Sequence, residues 1–309
     1  MGAFINNLKY RYSIATMPMK IIYINIVIFL LLRIAGIVCF FAGIQPYAFL
    51  QFVELPSSFS MLASHPWTII TYMFAQYDIL HILFNMLVLY WFGRLFLEAF
   101  TPKQFVALYI IGGIGGALLY MFAAMVLPVY QGISGSLIGA SASVMAIVIA
   151  IAMKLPHYRV GLLLFGMVSL KWIAIAYVAI DFLSITGDNS GGHIAHLGGA
   201  AVGALFTLLI NRGTDITRPV NSIIDALHSA FGSLRQFFSR AKSVKRPAPS
   251  ASHHHHSSSS SHATSTGRSG MSPQDEAILD SILDKIKKSG YASLTDDEKR
   301  RLFQVSTKK

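Results

Sequence analysis

Three small sets of polar residues stand inside otherwise apolar stretches of this chain. His81 and Asn85 lie four apart in HILFN, Ser141 and Ser143 open GASAS, and His193 and His196 lie three apart in GGHIAHLGG. A serine hydroxyl, an imidazole and a carboxamide are the parts that acyl transfer needs: a nucleophile, a base that takes its proton, and an N–H donor for the oxyanion. Each set also has a structural reading. A His or Asn inside a helix bundle often serves as an interhelical hydrogen-bond partner, and a Ser between Gly and Ala as a small packing residue. What favours chemistry is depth, because all three sets fall within one or two turns of the start of an apolar segment.

The elements that carry these residues belong to a membrane. Of 309 residues, 54% are hydrophobic and 13% charged, about half the charge of an ordinary globular protein. Met1–Arg212 holds only 10 of the 25 Lys and Arg and 5 of the 14 Asp and Glu, so an apolar domain precedes a water-exposed tail. Six apolar segments follow one another: Lys20–Ile44, Ile79–Phe100, Gln104–Leu127, Ala140–Leu155, Lys171–Gly187 and Gly192–Ile210. The sequence thus predicts an all-α, polytopic bundle of six transmembrane helices. The first segment is too long for a cleavable signal peptide, and its Arg33 needs a carboxylate or carbonyl partner from the bundle. The fourth, about 24 Å of helix at 1.5 Å per residue, is short for a full span, so its start can lie below the membrane surface.

Lys and Arg decorate alternate loops, while Gln45–Pro66, Pro128–Gly139 and the turn near Asp188 contain none. This positive-inside pattern predicts both termini in the cytoplasm, and the second, fourth and sixth helices then start on the extracytoplasmic side. The net charge of +11 is read as membrane flanks rather than as a nucleic-acid surface. Ser57–Asp78, rich in aromatics and broken by Pro66, reads as an interfacial or partly inserted loop. A single cysteine, Cys39, excludes a disulfide framework and a cysteine metal site. Ala142, Ala146 and Ala150 recur every four residues, as do Gly199 and Gly203. Such stripes let helix backbones approach closely and would bring Ser141 within reach of His196. Gly112, Gly113, Gly115 and Gly116 are read as packing glycines, not a nucleotide loop, because no strand precedes them.

Together, Trp67, HILFN fourteen residues on, GASAS at the start of a short helix, and AHLGGAAVG resemble the rhomboid family of intramembrane serine proteases in order, spacing and helix placement. The resemblance implies that Ser141 is the nucleophile and His196 its base. It also implies that His81 and Asn85 stabilise the oxyanion together with the Ser141 backbone N–H. A Ser–His dyad needs no acid, no metal and no cofactor, so Asp181 is read as a structural polar contact. Implied substrates are membrane proteins cut near the extracytoplasmic end of a helix that unwinds easily, after a small residue. The implied location is the bacterial cytoplasmic membrane. A rhomboid-like non-enzyme that binds transmembrane helices is the alternative, and a transporter lined by the same polar residues is a second.

Four departures from the family pattern stand out. Ala142 replaces the last Gly of G-x-S-G, Met145 stands where an aromatic often stacks on the His, and Thr68 replaces a basic residue after the loop Trp. A literal G-x-S-G occurs at Gly132–Gly135, but Ser134 precedes the apolar helix and is rejected. Ser143, about 200° around the helix from Ser141, should face away, and His193 is read as a mouth residue.

The chain divides into a membrane domain (1–212), a basic amphipathic segment (213–246), a Ser/His-rich linker with His253–His256 (247–270) and a small helical module (271–309). In the second, Ile223, Ile224, Leu227, Phe231, Leu234, Phe237 and Phe238 form an apolar face suited to the membrane surface. In the last, Thr295 to Glu298 is a capping-box pattern, and ILDKIKKSGYASLTDDEKRRLF resembles a module appended to some bacterial rhomboids. An unknown partner of this module is expected.

Overall fold

The structure, a computed structural model, describes residues 2–45, 47–131, 135–162, 166–243, 280–282, 284–286, 294–299 and 302. Two compact units, Met1–Lys245 and Arg246–Lys309, make up the chain. Ten helices are described in the first unit: α1 (Gly2–Ile14), α2 (Met17–Phe41), α3 (Phe59–Ser64), α4 (Thr68–Thr71), α5 (Ile79–Ala99), α6 (Pro102–Val126), α7 (Ser141–Lys154), α8 (Leu170–Leu183), α9 (Ser190–Ile210) and α10 (Arg218–Ser243). Two antiparallel strand pairs join them, β1 (Leu55–Pro56) with β2 (Ser136–Leu137) and β3 (Arg159–Leu162) with β4 (Gly166–Ser169).

Helices α2, α5, α6, α7, α8 and α9 occupy the six predicted segments with every end within four residues of its expected place. Four of them, α2, α5, α6 and α9, are long and apolar enough to cross a membrane. The other two have 14 residues each, about 21 Å of helix, against a hydrocarbon core of about 30 Å. Local sequence sets the ends. Pro18 sits in the first turn of α2, where a missing N–H costs nothing. Thr101 and Gln104 form a capping box at the start of α6. Asp78 Oδ1 accepts the His81 N–H at 2.7 Å and so fixes the first turn of α5.

The centre of the bundle is α7, whose residues from Ala142 to Ala152 are all buried. Small residues make this possible. A side chain on Gly199 would overlap the Ala142 carbonyl oxygen, and one on Gly203 the Ala146 carbonyl oxygen, so α7 and α9 pack backbone to backbone. On α6, side chains added at Gly112 and Gly116 would strike Ala146 and Ala142. The glycine-rich stretch is therefore a packing surface.

Arg33 finds the expected carbonyl partner, donating to Tyr77 O at 3.4 Å and lying over the Tyr77 ring. Residues 57–78 form no span but the short helices α3 and α4 with connecting turns. Thr68 cannot anchor this segment as a basic residue would, and other bonds do so. Trp67 Nε1 donates to Phe52 O at 2.8 Å, Thr71 Oγ1 to Val53 O at 3.0 Å, and Tyr72 Oη to Gly113 O at 2.6 Å. At the opposite end, Lys154 Nζ donates to Asn211 Oδ1 at 2.7 Å, and Gln104 Nε2 donates to Asp215 Oδ2 at 2.9 Å. Lys103 also pairs there with Asp225 on α10, where Ile223 and Leu227 are exposed.

Ser134, the 247–270 linker with His253–His256, and the side chains of Phe231, Leu234, Phe237 and Phe238 lie outside the described residues. In the second unit the capping box is present: Glu298 Oε2 accepts the Thr295 N–H at 2.7 Å, and Thr295 Oγ1 accepts the Glu298 N–H at 3.4 Å.

Candidate active site

Three helix starts converge at the end of the bundle opposite the basic loops. Gly139 marks the meeting point. Its φ of +135° lies where residues with a side chain are strained, and its N–H donates to Tyr72 O at 3.0 Å. A methyl group there would sit 3.2 Å from His81 Nε2 and 3.7 Å from Ser141 Oγ. His81 and Ser141 thus face one small space that only glycine leaves open. Ser141 opens α7 with no side-chain cap before it. The free N–H groups of that first turn can therefore serve an incoming oxyanion.

The base side is built by α9 and α8. Because Gly199 touches Ala142, one turn before it His196 is carried to the level of Ser141. His196 Nδ1 lies 2.7 Å from Asp181 Oδ1. A carboxylate only accepts, so Nδ1 carries the proton and Nε2 keeps the lone pair a base requires. His193 Nδ1 makes a second 2.7 Å bond to the same oxygen, and the two imidazoles stand edge to face with centroids 5.8 Å apart. Asp181 is a polar contact, as the sequence suggests, and its partners are His196 and His193. Asp181 is the one carboxylate in its apolar segment, and an intramembrane carboxylate needs a partner. A partner fifteen residues away on another helix leaves no local spacing to read.

Asn85 lies one turn deeper than His81 and is buried. Its amide donates to Gln76 Oε1 at 2.8 Å, Gln76 Nε2 donates to Asn25 Oδ1 at 3.0 Å, and Asn25 Nδ2 donates to Tyr109 Oη at 3.3 Å. Tyr109 Oη then donates to Met73 O at 2.7 Å. All of these residues are buried, so the chain fixes one N–H of Asn85 and leaves its second for another acceptor. Sequence reasoning missed Gln76, a lone amide in an aromatic loop.

Two other residues behave as their helix positions dictate. Ser143 is fully buried, its Oγ without a hydrogen-bond partner among the described residues and facing Gly113 of α6 rather than the site. Met145 is fully buried in the core. Ser141 Oγ itself makes no hydrogen bond to His196 among the described residues, and such contacts commonly close only when substrate is bound.

Residues 63–213 match the rhomboid domain, and residues 273–308 match a family of unknown function (DUF6576). The chain is 32% identical over 136 residues to the presenilin-associated rhomboid-like protein A, mitochondrial, of Danio rerio, covering 43% of this chain and 34% of that protein. It is 34% identical over 157 residues to the RHOMBOID-like protein 12, mitochondrial, of Arabidopsis thaliana, covering 47% of each. Rhomboid protein 1, mitochondrial, of Saccharomyces cerevisiae matches at 24% over 184 residues, covering 57% of this chain and 48% of that one. The chain spans a third to about half of the length of these relatives. All three bear mitochondrial names, which overturns the expectation of a bacterial cytoplasmic membrane. Basic loops report sidedness, not which membrane is spanned. From residue 63 to residue 213, therefore, the chain is a rhomboid domain.

Proposed function

We propose that the protein is an intramembrane serine endopeptidase that cuts membrane-protein substrates where α5, α7 and α9 begin. One observation carries the reading. His196 is held by Asp181 with its Nε2 free, on a helix whose backbone touches that of the helix Ser141 opens. In this scheme Ser141 Oγ attacks the peptide carbonyl while its proton passes to His196 Nε2. The oxyanion is met by the α7 first-turn N–H groups, His81 Nε2–H and the second Asn85 N–H. His196 returns the proton to the leaving amine, and a water activated by the same base releases the acyl group. The substrate must unwind, because a helix keeps its carbonyls bonded. The relatives' names support a mitochondrial membrane as the compartment for this activity. The partners are membrane proteins with such segments and the bilayer itself, not nucleic acid.

A second reading rests on the open Ser141–His196 contact: a rhomboid-like protein that binds transmembrane helices without cutting them. Labelling of the purified protein with a fluorophosphonate probe separates the two. Adduct on Ser141 that depends on His196 supports the protease, and a folded protein that does not label supports the binder. Adduct on Ser134 instead would move the site to the outer loop.

A further inference from the structure

We infer that Asp181, His193 and His196 form a divalent transition-metal site of the zinc class whose occupation switches the protease off. The clause about inhibition rests on His196 being the general base; the site itself does not.

The three residues supply one ligand atom each, and these atoms all lie within 4.8 Å of one another. Both Nδ1 atoms are already 2.7 Å from Asp181 Oδ1. Tetrahedral zinc with ligands at about 2.0–2.2 Å keeps its ligand atoms roughly 3.4 Å apart. Opening each contact by about 0.7 Å therefore makes room for the ion. His193 and His196 are one helical turn apart on the same face of α9. Asp181 comes from α8, which buries only Leu170, Ala174 and itself, so it can shift without disturbing the core. Two imidazoles and a carboxylate suit zinc and its neighbours better than magnesium or calcium.

A second, independent observation points to a missing ligand. The Asp181 side chain is only 4% exposed, yet its Oδ2 has no hydrogen-bond partner among the described residues. A buried carboxylate oxygen left so is costly, and a cation beside it removes that cost. The His193 and His196 side chains keep 21% and 12% of their surface, which leaves solvent a route to the site.

The chemistry of inhibition is a change of tautomer. Without metal, the His196 proton sits on Nδ1 and Nε2 has the lone pair. A metal takes the Nδ1 lone pair, so the proton moves through solvent to Nε2 and the imidazole stays neutral. Nε2 then carries a hydrogen and cannot accept one from Ser141. The Asp181 bond that selects the active tautomer is lost in the same event.

Cobalt(II) is the probe, because four-coordinate Co²⁺ absorbs in the visible. The full-length protein is titrated in a background with His253–His256 replaced by Ser, beside the unaltered chain. Expected is a 1:1 visible band in this background, retained in Ser141→Ala and weakened at least tenfold in His193→Ala and Asp181→Asn. Absence of a 1:1 band from the folded protein, or a band indifferent to both substitutions, overturns the site. In parallel, Zn²⁺ should block fluorophosphonate labelling of Ser141 and EDTA should restore it. A band with undiminished labelling leaves the site and overturns the inhibition. No labelling even in EDTA would instead count against the protease reading, while the cobalt band still decides whether the site exists.

Discussion

The two short helices of the bundle, α7 and α8, have the same length and opposite surroundings. All residues of α7 from Ala142 to Ala152 are buried, and its backbone meets α9 at Ala142 and Ala146. Helix α8 buries three residues, and Ile180, Phe182 and Leu183 beside Asp181 are exposed. Ser141 is thus fixed by packing that cannot yield, while Asp181, which holds His196, hangs on two hydrogen bonds. Rigidity at one and latitude at the other suit a site where the serine must be placed and the base must move a proton.

The contrast breaks most sharply at Gly199. Gly199→Val drives a side chain into the Ala142 carbonyl and should cost about 3 kcal/mol or more through overpacking. Thermal unfolding in detergent should show it, and Ser141 labelling should vanish. By contrast Ile180→Ala, on the exposed side of α8, should stay within about 0.5 kcal/mol. A comparable loss at both positions would remove the distinction between the helices.

Asp181→Asn probes the other side of the comparison. It keeps shape but frees the His196 tautomer, so Ser141 labelling should slow by about 100-fold with little change in unfolding temperature. A large fall in unfolding temperature would make Asp181 structural instead. Next comes Gln76→Leu, which strands the amides of Asn25 and Asn85 at about 1–3 kcal/mol. It should also lower substrate cleavage more than binding, measured as kcat against KM.

The smallest effect lies at the other end of the bundle. Partial burial pushes the Asp215 carboxyl up, but hydrogen bonds from Thr217 and Gln104, with the Arg218 charge, outweigh this and hold it below its ordinary 3.8. A depressed carboxyl adds stability above the ordinary value, and that contribution fades as pH falls through the lower folded-state value. Amide protection at residues 214–222, corrected for intrinsic exchange, should therefore weaken on acidification below 3.8. In Asp215→Asn that dependence should disappear.

The sequence makes the rigid half of this comparison readable and conceals much of the other. Apolar length marks the six helices, and the alanine and glycine stripes foretell that α7 and α9 touch, which puts Ser141 and His196 at one level. Those signals are periodic and local. The links from Asp181 to His196 and from Gln76 to Asn85 join residues on separate elements, and only the fold brings them together. Helix α1 mixes polar and apolar residues without a clear apolar face, and the four-residue strands β3 and β4 are too short for a period to show, so neither is legible in the sequence.

The central claim is an activated Ser141, and the direct measurement is fluorophosphonate labelling of detergent-purified protein with the adduct located by mass spectrometry. Wild type should label at Ser141, His196→Ala and Ser141→Ala should not, and Asp181→Asn should label slowly. Labelling of Ser141 that persists in His196→Ala, or a folded wild type that never labels, would contradict the account.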